Sequence, residues 1–247
     1  MFPLRDENPS LLTPVATFLI IAINAAAWLL VQGLGSEPAL TRSVCEYGLI
    51  PGEILQRLPA GTRVPLGDHV SCVIGAGPVW LTPLSSMFLH GSWMHIVGNL
   101  WFLWVFGNNV EDAMGHSRFL VFYVACGLAA AAAQTLANPA SALPMVGASG
   151  AIGGVMGAYA LLYPHNRIDT LIILGFYVRT IAVPAYFMLG YWFVLQVLGG
   201  LPSLGGEGAG VAFWAHVGGF VAGAVLVLVF RDPELLARQR ARADVYG

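Results

Sequence analysis

The chain has 247 residues, of which 57% are hydrophobic and 10% charged, with a mean hydropathy of +0.73. A soluble globular domain carries about 25% charged residues, so this composition excludes one and points to a membrane protein. The net charge of −2 gives no sign of a nucleic-acid partner, and three cysteines without a CxxC pair speak against a thioredoxin-like or metal site.

Residues 1–13 read as a short polar tail whose charges and prolines do not fit a signal peptide. From about Pro14 to Leu34 runs an apolar segment able to cross a bilayer, since about 20 residues at about 1.5 Å each span the hydrocarbon. Residues 35–79 form a long mixed loop with room for short interfacial helices. A second span runs from about Ser85 to Asn108, followed by a polar turn from Glu111 to Ser117. A third covers about Arg118 to Ala137, and residues 138–147 are a loop. A fourth runs from Ser149 to Tyr163, where Pro164 stops it. His165 to Val183 is a connector whose apolar piece, Leu171 to Val178, suits an interface. A fifth span follows, about Pro184 to Leu198, then a glycine-rich loop from Gly199 to Gly210 and a sixth span from Val211 to Phe230. The charged end, Arg231 to Arg242, suits an amphipathic surface helix. The expected fold is an all-α integral membrane protein with six transmembrane helices and a long first outward loop. Its parts are a cytoplasmic tail (1–13), a six-span domain (14–230) and a charged cytoplasmic tail (231–247).

Six spans put both termini on one side, together with Arg5, Arg118, Arg167, Arg179, Arg231, Arg238, Arg240 and Arg242. Only Arg42, Arg57 and Arg63 lie opposite. The positive-inside rule then makes both termini cytoplasmic, in the cell membrane, and turns the loops before Ser149 and His216 outward. The fourth span is about 22 Å long against about 30 Å of hydrocarbon, which sinks Ser149 about 8 Å below the outer surface. Backbone at that depth needs a protein-lined or water-filled cavity, so the loop 138–147 is expected to dip into one.

Ionisable and strongly polar groups inside spans are costly and point to function. The candidates are His90, His95, Asn99, Ser149 and His216. His95 and Asn99, at i and i+4, share a helix face. Ser149 opens an apolar helix, where partial positive charge and unpaired N–H groups favour a developing anion. Gly153 and Gly157 follow it on one stripe; Gly219 and Gly223 follow His216 on another. Small-residue stripes let helix backbones approach, which would bring Ser149 Oγ to the His216 ring. A serine hydroxyl needs a neighbouring base, and neutral imidazole suits that task near pH 7. No Asp or Glu falls near the outer end of a span, so the expectation is a Ser149–His216 dyad. Asp68 and Glu207 are loop carboxylates that nothing in the sequence brings to it. The Ser149 N–H, the Asn99 amide and the His95 ring are the expected oxyanion donors, beside Gly147.

Each feature has a plainer reading. Ser149 can be a helix cap, the glycine stripes helix-packing motifs, and a lone His or Asn an interhelical bridge. His69, His116 and His165 read as solvated, and Cys126 as a packing residue. Cys45 and Cys72 share the outward loop, paired or free according to the redox state of the compartment. Residues 147–151 read G-A-S-G-A, so the nucleophile elbow of soluble hydrolases is absent.

His90-Gly91-Ser92-Trp93-Met94-His95-Ile96-Val97-Gly98-Asn99, Gly147-Ala148-Ser149-Gly150 and Ala215-His216-Val217-Gly218-Gly219 occur in that order, with Val110-Glu111 after the second span. Together they resemble the rhomboid family of intramembrane serine proteases over nearly the whole chain. The sequence indicates no cofactor or metal, and the resemblance implies a six-helix rhomboid-like bundle that cuts transmembrane helices of other membrane proteins. It implies Ser149 as nucleophile, His216 as base, and His95 and Asn99 at the oxyanion. It gives structural roles to His90, Trp80 and Glu111, while the stripe of Gly219 and Gly223 reads as structural support by helix packing. Two positions depart from the pattern: Leu81 follows Trp80 where many members have arginine, and Gly153 stands where many have an aromatic beneath the histidine. His216 is then expected to be held by close helix packing.

The Gly199–Gly210 loop reads as a mobile cover over the site. Substrates with small or helix-breaking residues near their outer boundary are expected, because a helix must unwind before attack. A catalytically silent relative that binds transmembrane helices is the alternative. A small transporter with a His95–Asn99–His216 path is a third reading, disfavoured by the lack of intramembrane carboxylates.

Overall fold

The structure, a computed structural model, describes residues 1–66, 70–204 and 210–246. In chain order the elements are strand β1 (Phe2–Asp6), helices α1 (Val15–Leu30), α2 (Ala39–Tyr47) and α3 (Pro51–Ile54), and strands β2 (Arg63–Pro65) and β3 (Ser71–Val73). Then come helices α4 (Thr82–Ser85), α5 (Trp93–Asp112), α6 (His116–Ala137) and α7 (Ser149–Leu162), and strands β4 (Arg167–Leu174) and β5 (Tyr177–Pro184). Helices α8 (Ala185–Gly200), α9 (Phe213–Phe230) and α10 (Pro233–Tyr246) complete the chain. The fold is mostly helical. Among the described residues, three helical segments are long and apolar enough to cross a membrane: His116–Ala137, Ala185–Ser203 and Phe213–Phe230. Val15–Leu30 and Ser149–Leu162 are apolar but shorter.

The all-α expectation needs a correction. β1, β4 and β5 form an antiparallel sheet in the order β1-β4-β5. The stretch Leu171–Val178 is the tip of its hairpin, not a separate interfacial piece. The turn is Gly175-Phe176, with Gly175 at φ +59°, where glycine suits a two-residue hairpin. The first residues are likewise no free tail: Phe2 pairs with Leu171 and Asp6 with Ile168. Trp101 Nε1 donates to the Pro3 carbonyl at 2.7 Å, fastening the sheet to α5.

The second span also starts later than expected. Ser92 caps α5, its Oγ accepting from His95 N at 3.2 Å, and residues before it form short turns. α5 then continues through Asp112, so Glu111 ends a helix and does not begin a turn.

α7 is the central helix. Gly150 to Tyr159 are all buried, against α5, α6, α8 and α9. The hydrophobic effect does not drive helices together in lipid, so close packing must. The glycines show how close. A Cβ on Gly219 would lie 1.9 Å from the Gly150 carbonyl oxygen, and one on Gly223 would lie 1.9 Å from that of Gly154. Gly153 and Gly157 face the carbonyls of His216 and Phe220 in the same way. The two stripes therefore interlock with the backbone of the opposite helix, and do not meet glycine to glycine along one line. On the far side of α7, buried Cys126 fills the space at Gly154 as a packing residue.

The long first loop is a scaffold. Cys45 and Cys72 are joined by a disulfide that ties α2 to β3. Leu49 and Met145 exchange backbone hydrogen bonds of 2.9 and 2.7 Å, Gly52 N donates to the Ser141 carbonyl at 2.8 Å, and Gly147 N to that of Ser86 at 2.9 Å. These bonds satisfy the loop that precedes Ser149.

At the opposite end of the bundle Glu111 is fully buried. It accepts from Ala16 N and Thr17 N at 2.8 Å each and from Thr17 Oγ1 at 2.7 Å, capping α1 from another helix. His116, expected to be solvated, lies 2.5 Å from the same carboxylate. Nearby, Asp6 Oδ2 accepts from Asn109 Nδ2 at 2.6 Å and Tyr159 OH at 2.7 Å. Burial pushes the Asp6 carboxyl up to about 7.

Two predictions follow from these contacts. Gly223→Ala is expected to cost about 1–3 kcal/mol by forcing α7 and α9 apart. Gly190→Ala, with nothing within 4 Å of the added carbon, is the neutral control. Thermal unfolding in detergent reads both. The second concerns Asp6, whose folded pKa exceeds its unfolded one. The folded state keeps a proton that the unfolded state sheds between about pH 4 and 7, so this group makes stability fall as pH rises through that window. Asp6→Asn keeps the accepting oxygen and removes the charge. Its melting temperature is expected to change less across pH 4–7 and to exceed that of the wild type at pH 7.

Candidate active site

Ser149 is the first residue of α7, and Ala148 holds the cap position without a side-chain bond. The serine hydroxyl is therefore not spent on capping. It lies 2.7 Å from His216 Nε2, in the first turn of α9. Both residues are half-buried, so the pair is neither dry nor on the surface. The interlocked glycines below set this distance, because they let the two helix starts come side by side.

His95 stands across from the pair. Its Nδ1 accepts from Gly91 N at 3.3 Å, which puts the ring hydrogen on Nε2. That atom faces Gly147: a Cβ there would lie 2.8 Å from His95 Nε2 and 3.4 Å from Ser149 Oγ. Gly147 has φ +134°, so both its backbone and its lack of a side chain are required here. Asn99, one turn below His95, is buried, and its Nδ2 finds no acceptor in the protein. A buried donor left unpaired is costly, and it is the group an oxyanion would need. The first-turn N–H groups of α7 add donors with no partner inside the helix.

Behind His95 lies His90, fully buried, its ring edge-on to the His95 ring at 5.1 Å. Gln32 clamps the His90 backbone, donating to its carbonyl at 2.7 Å and accepting from its N–H at 2.8 Å. His90 thus backs His95 and is fixed to the end of α1. Gly219 and Gly223 do the packing described above, and Glu111 lies at the far end, capping α1. Trp80 departs from expectation: its side chain is 78% exposed, so it does not anchor the loop by packing inside the protein.

Two cavities meet at Ser149 and His216. One, of about 640 Å³, is bounded by His95, Asn99, the loop Leu143–Val146 and Gly210–Ala212. The other, of about 230 Å³, opens between α5 and α8 and is mainly apolar, lined by Met94, Phe102, Ile152, Met156 and Trp192. Among the described residues no group of three or more His, Cys, Asp or Glu side chains is gathered as a metal site. Asp68, His69 and Glu207, and the centre of the glycine-rich loop, lie outside the described residues.

The sequence reading missed the other side of His216. Its Nδ1 lies 2.8 Å from Gln196 Oε1, and the Trp192 ring lies beside it at 5.9 Å. Both come from α8. Close packing does hold the histidine, since a Cβ on Gly153 would lie 3.0 Å from its carbonyl oxygen. An aromatic is present too, from a different helix than the pattern suggests. Gln196 is the lone amide in α8, and the cost of a polar group in an apolar helix was the available signal. Gln134 was missed for the same reason; its Oε1 accepts from Ala215 N at 3.2 Å and caps α9.

Residues 78–233 match the Rhomboid domain family. The chain is 32% identical over 169 residues to Rhomboid protease GluP of Bacillus subtilis, covering 68% of this chain and 30% of that protein. It is 33% identical over 104 residues to Rhomboid-like protein 11, chloroplastic, of Arabidopsis thaliana, covering 41% and 37%. To Rhomboid protein 1, mitochondrial, of Saccharomyces cerevisiae it is 34% identical over 89 residues, covering 34% and 26%. The chain thus spans roughly a third of the length of these relatives. The family match takes in α5, α7 and α9, the helices that bring His95, Asn99, Ser149 and His216 together. With more than half of the chain inside it, this protein belongs to the rhomboid family.

Proposed function

We propose that the chain is an intramembrane serine endopeptidase that cleaves transmembrane segments of other membrane proteins near their outer boundary. The observation that carries this reading is the 2.7 Å contact between Ser149 Oγ and His216 Nε2, beside the unpaired Asn99 Nδ2. In this reading α1 and α5 to α9 cross the bilayer as six spans within 14–230. Both tails, 1–13 and 231–247, face the cytoplasm of a cell with this protein in its plasma or inner membrane. The arginine distribution supports that orientation. The exposed Trp80 suits contact with lipid at the outer boundary.

His216 Nε2 takes the hydroxyl proton as Ser149 Oγ attacks the scissile carbonyl carbon. The carbonyl oxygen becomes an oxyanion, held by the Asn99 amide, His95 Nε2–H and the N–H groups at the α7 start. His216 then gives the proton to the leaving amine, and an acyl-enzyme remains on Ser149. Water enters through the larger cavity and attacks the acyl carbon as His216 takes its proton; the bond to Ser149 Oγ breaks, His216 returns the proton to that oxygen, and the acid leaves. The apolar cavity between α5 and α8 suits the arrival of a substrate segment from lipid. α5 and α8 share little direct packing, which favours that side.

A fluorophosphonate probe on the detergent-solubilised protein is expected to label wild type and to lose labelling in Ser149→Ala. Cleavage of a single-span substrate in proteoliposomes is expected to fall at least about 10³-fold in Ser149→Ala and in His216→Ala. A silent helix-binding relative would show neither labelling nor cleavage. A further expectation concerns the oxyanion: Asn99→Ala lowers kcat about 10²-fold with little change in KM, read from initial rates on the same substrate.

A further inference from the structure

A histidine that accepts a proton at Nε2 must carry its own hydrogen on Nδ1, and that hydrogen needs an acceptor. In a soluble triad a carboxylate supplies one. Among the described residues no carboxylate bonds to His216; the group that does is Gln196 Oε1, at 2.8 Å. We propose that Gln196 is the positioning residue of the base: its side-chain oxygen selects the His216 tautomer and ring orientation that serve Ser149. This rests on the assignment of His216 as base made above.

A side-chain amide presents a donor at one end and an acceptor at the other, so its direction decides the matter. Here a second partner decides it. Gln196 Nε2 lies 3.4 Å from the Trp192 carbonyl oxygen, one turn earlier on α8. A backbone carbonyl can only accept, so the NH₂ end of the amide faces it. The oxygen end is left facing His216. An oxygen acceptor there requires hydrogen on Nδ1, which leaves the lone pair of Nε2 toward Ser149 Oγ at 2.7 Å. The order of donors and acceptors is therefore set from a main-chain atom through two side chains to the nucleophile, with no charge in it.

The neutral group also suits its surroundings. A carboxylate on α8 would have to be desolvated within the bilayer, which a neutral amide avoids in large part. The rest of the His216 surroundings limits where the ring lies without choosing its tautomer. Trp192 flanks it at 37° between ring planes, and the Gly153 backbone is close to its main chain. Neither offers an acceptor to Nδ1.

The experiment compares wild type, Gln196→Leu and Gln196→Glu, each as the full chain in detergent and in proteoliposomes. Imidazole ¹⁵N resonances of histidine-labelled protein, with His216→Asn identifying the signal, report the tautomer. Rates on a single-span substrate report kcat and KM. Wild type is expected to show one Nδ1–H tautomer. Gln196→Leu is expected to show a mixture, with kcat down about 10- to 100-fold and KM within about twofold. Gln196→Glu, which restores an oxygen acceptor, is expected to recover the single tautomer and to bring kcat within about threefold of wild type. An unchanged tautomer in Gln196→Leu, or a loss of rate that glutamate does not recover, overturns the proposal. The tautomer is read without turnover, so the two ideas separate. A tautomer that responds to Gln196 in a protein without hydrolysis supports positioning and sinks the protease reading. Normal hydrolysis in Gln196→Leu sinks positioning and leaves the protease reading standing.

Discussion

The contact on which the site depends is between two pieces of backbone. Gly219 of α9 rests against the Gly150 carbonyl of α7, and Gly223 against that of Gly154, with no room for a methyl group at either place. Ser149 precedes the first of these contacts by one residue in α7, and His216 precedes it by three in α9. Their separation is thus set by the helices before any side-chain interaction is formed. In a lipid environment, where burying apolar surface gains little, such steric fit is what holds helices in register.

The remaining order comes from polar groups satisfied across long stretches of chain. Glu111 supplies the cap that Pro14 cannot give to α1. Gln32 holds the backbone of His90, whose ring lies edge-on to that of His95. Leu49 and Met145 join the two loops that flank the cavity. Each bond answers the same constraint: a backbone group away from water must find a partner in the protein. The result is a site whose polar groups are positioned by distant parts of the sequence, with Asn99 Nδ2 among the buried donors left without a partner.

Much of this was legible from the sequence because polar residues in apolar spans stand out. Ser149, His216, His95 and Asn99 stand out that way, and all four line the same cavity. The helix limits of α6 to α9 followed from apolar length, proline and glycine, within a few residues. What escaped depends on pairing between distant segments. The strands of the sheet look like a polar tail and an apolar connector when taken separately, because Phe2 and Leu171 are neighbours only in space. Glu111 looked like a turn residue because its role is to cap a helix 95 positions away. Gln196 stands out less, because an uncharged amide in an apolar helix carries less penalty than a charged group and its partner, His216, lies on another helix.

The hairpin strand β5 runs straight into α8, and α8 buries only Ala185, Met188, Leu189 and Gly200. Trp192 and Gln196 ride on this lightly held helix, while Ser149 and His216 belong to the tightly locked pair. A displacement of α8 relative to α9 would part the amide from the imidazole and leave the Ser149 contact in place. The two bonds of the one ring are thus made to parts of the fold that are held unequally: the serine across interlocked backbone, the amide from a helix with four buried residues.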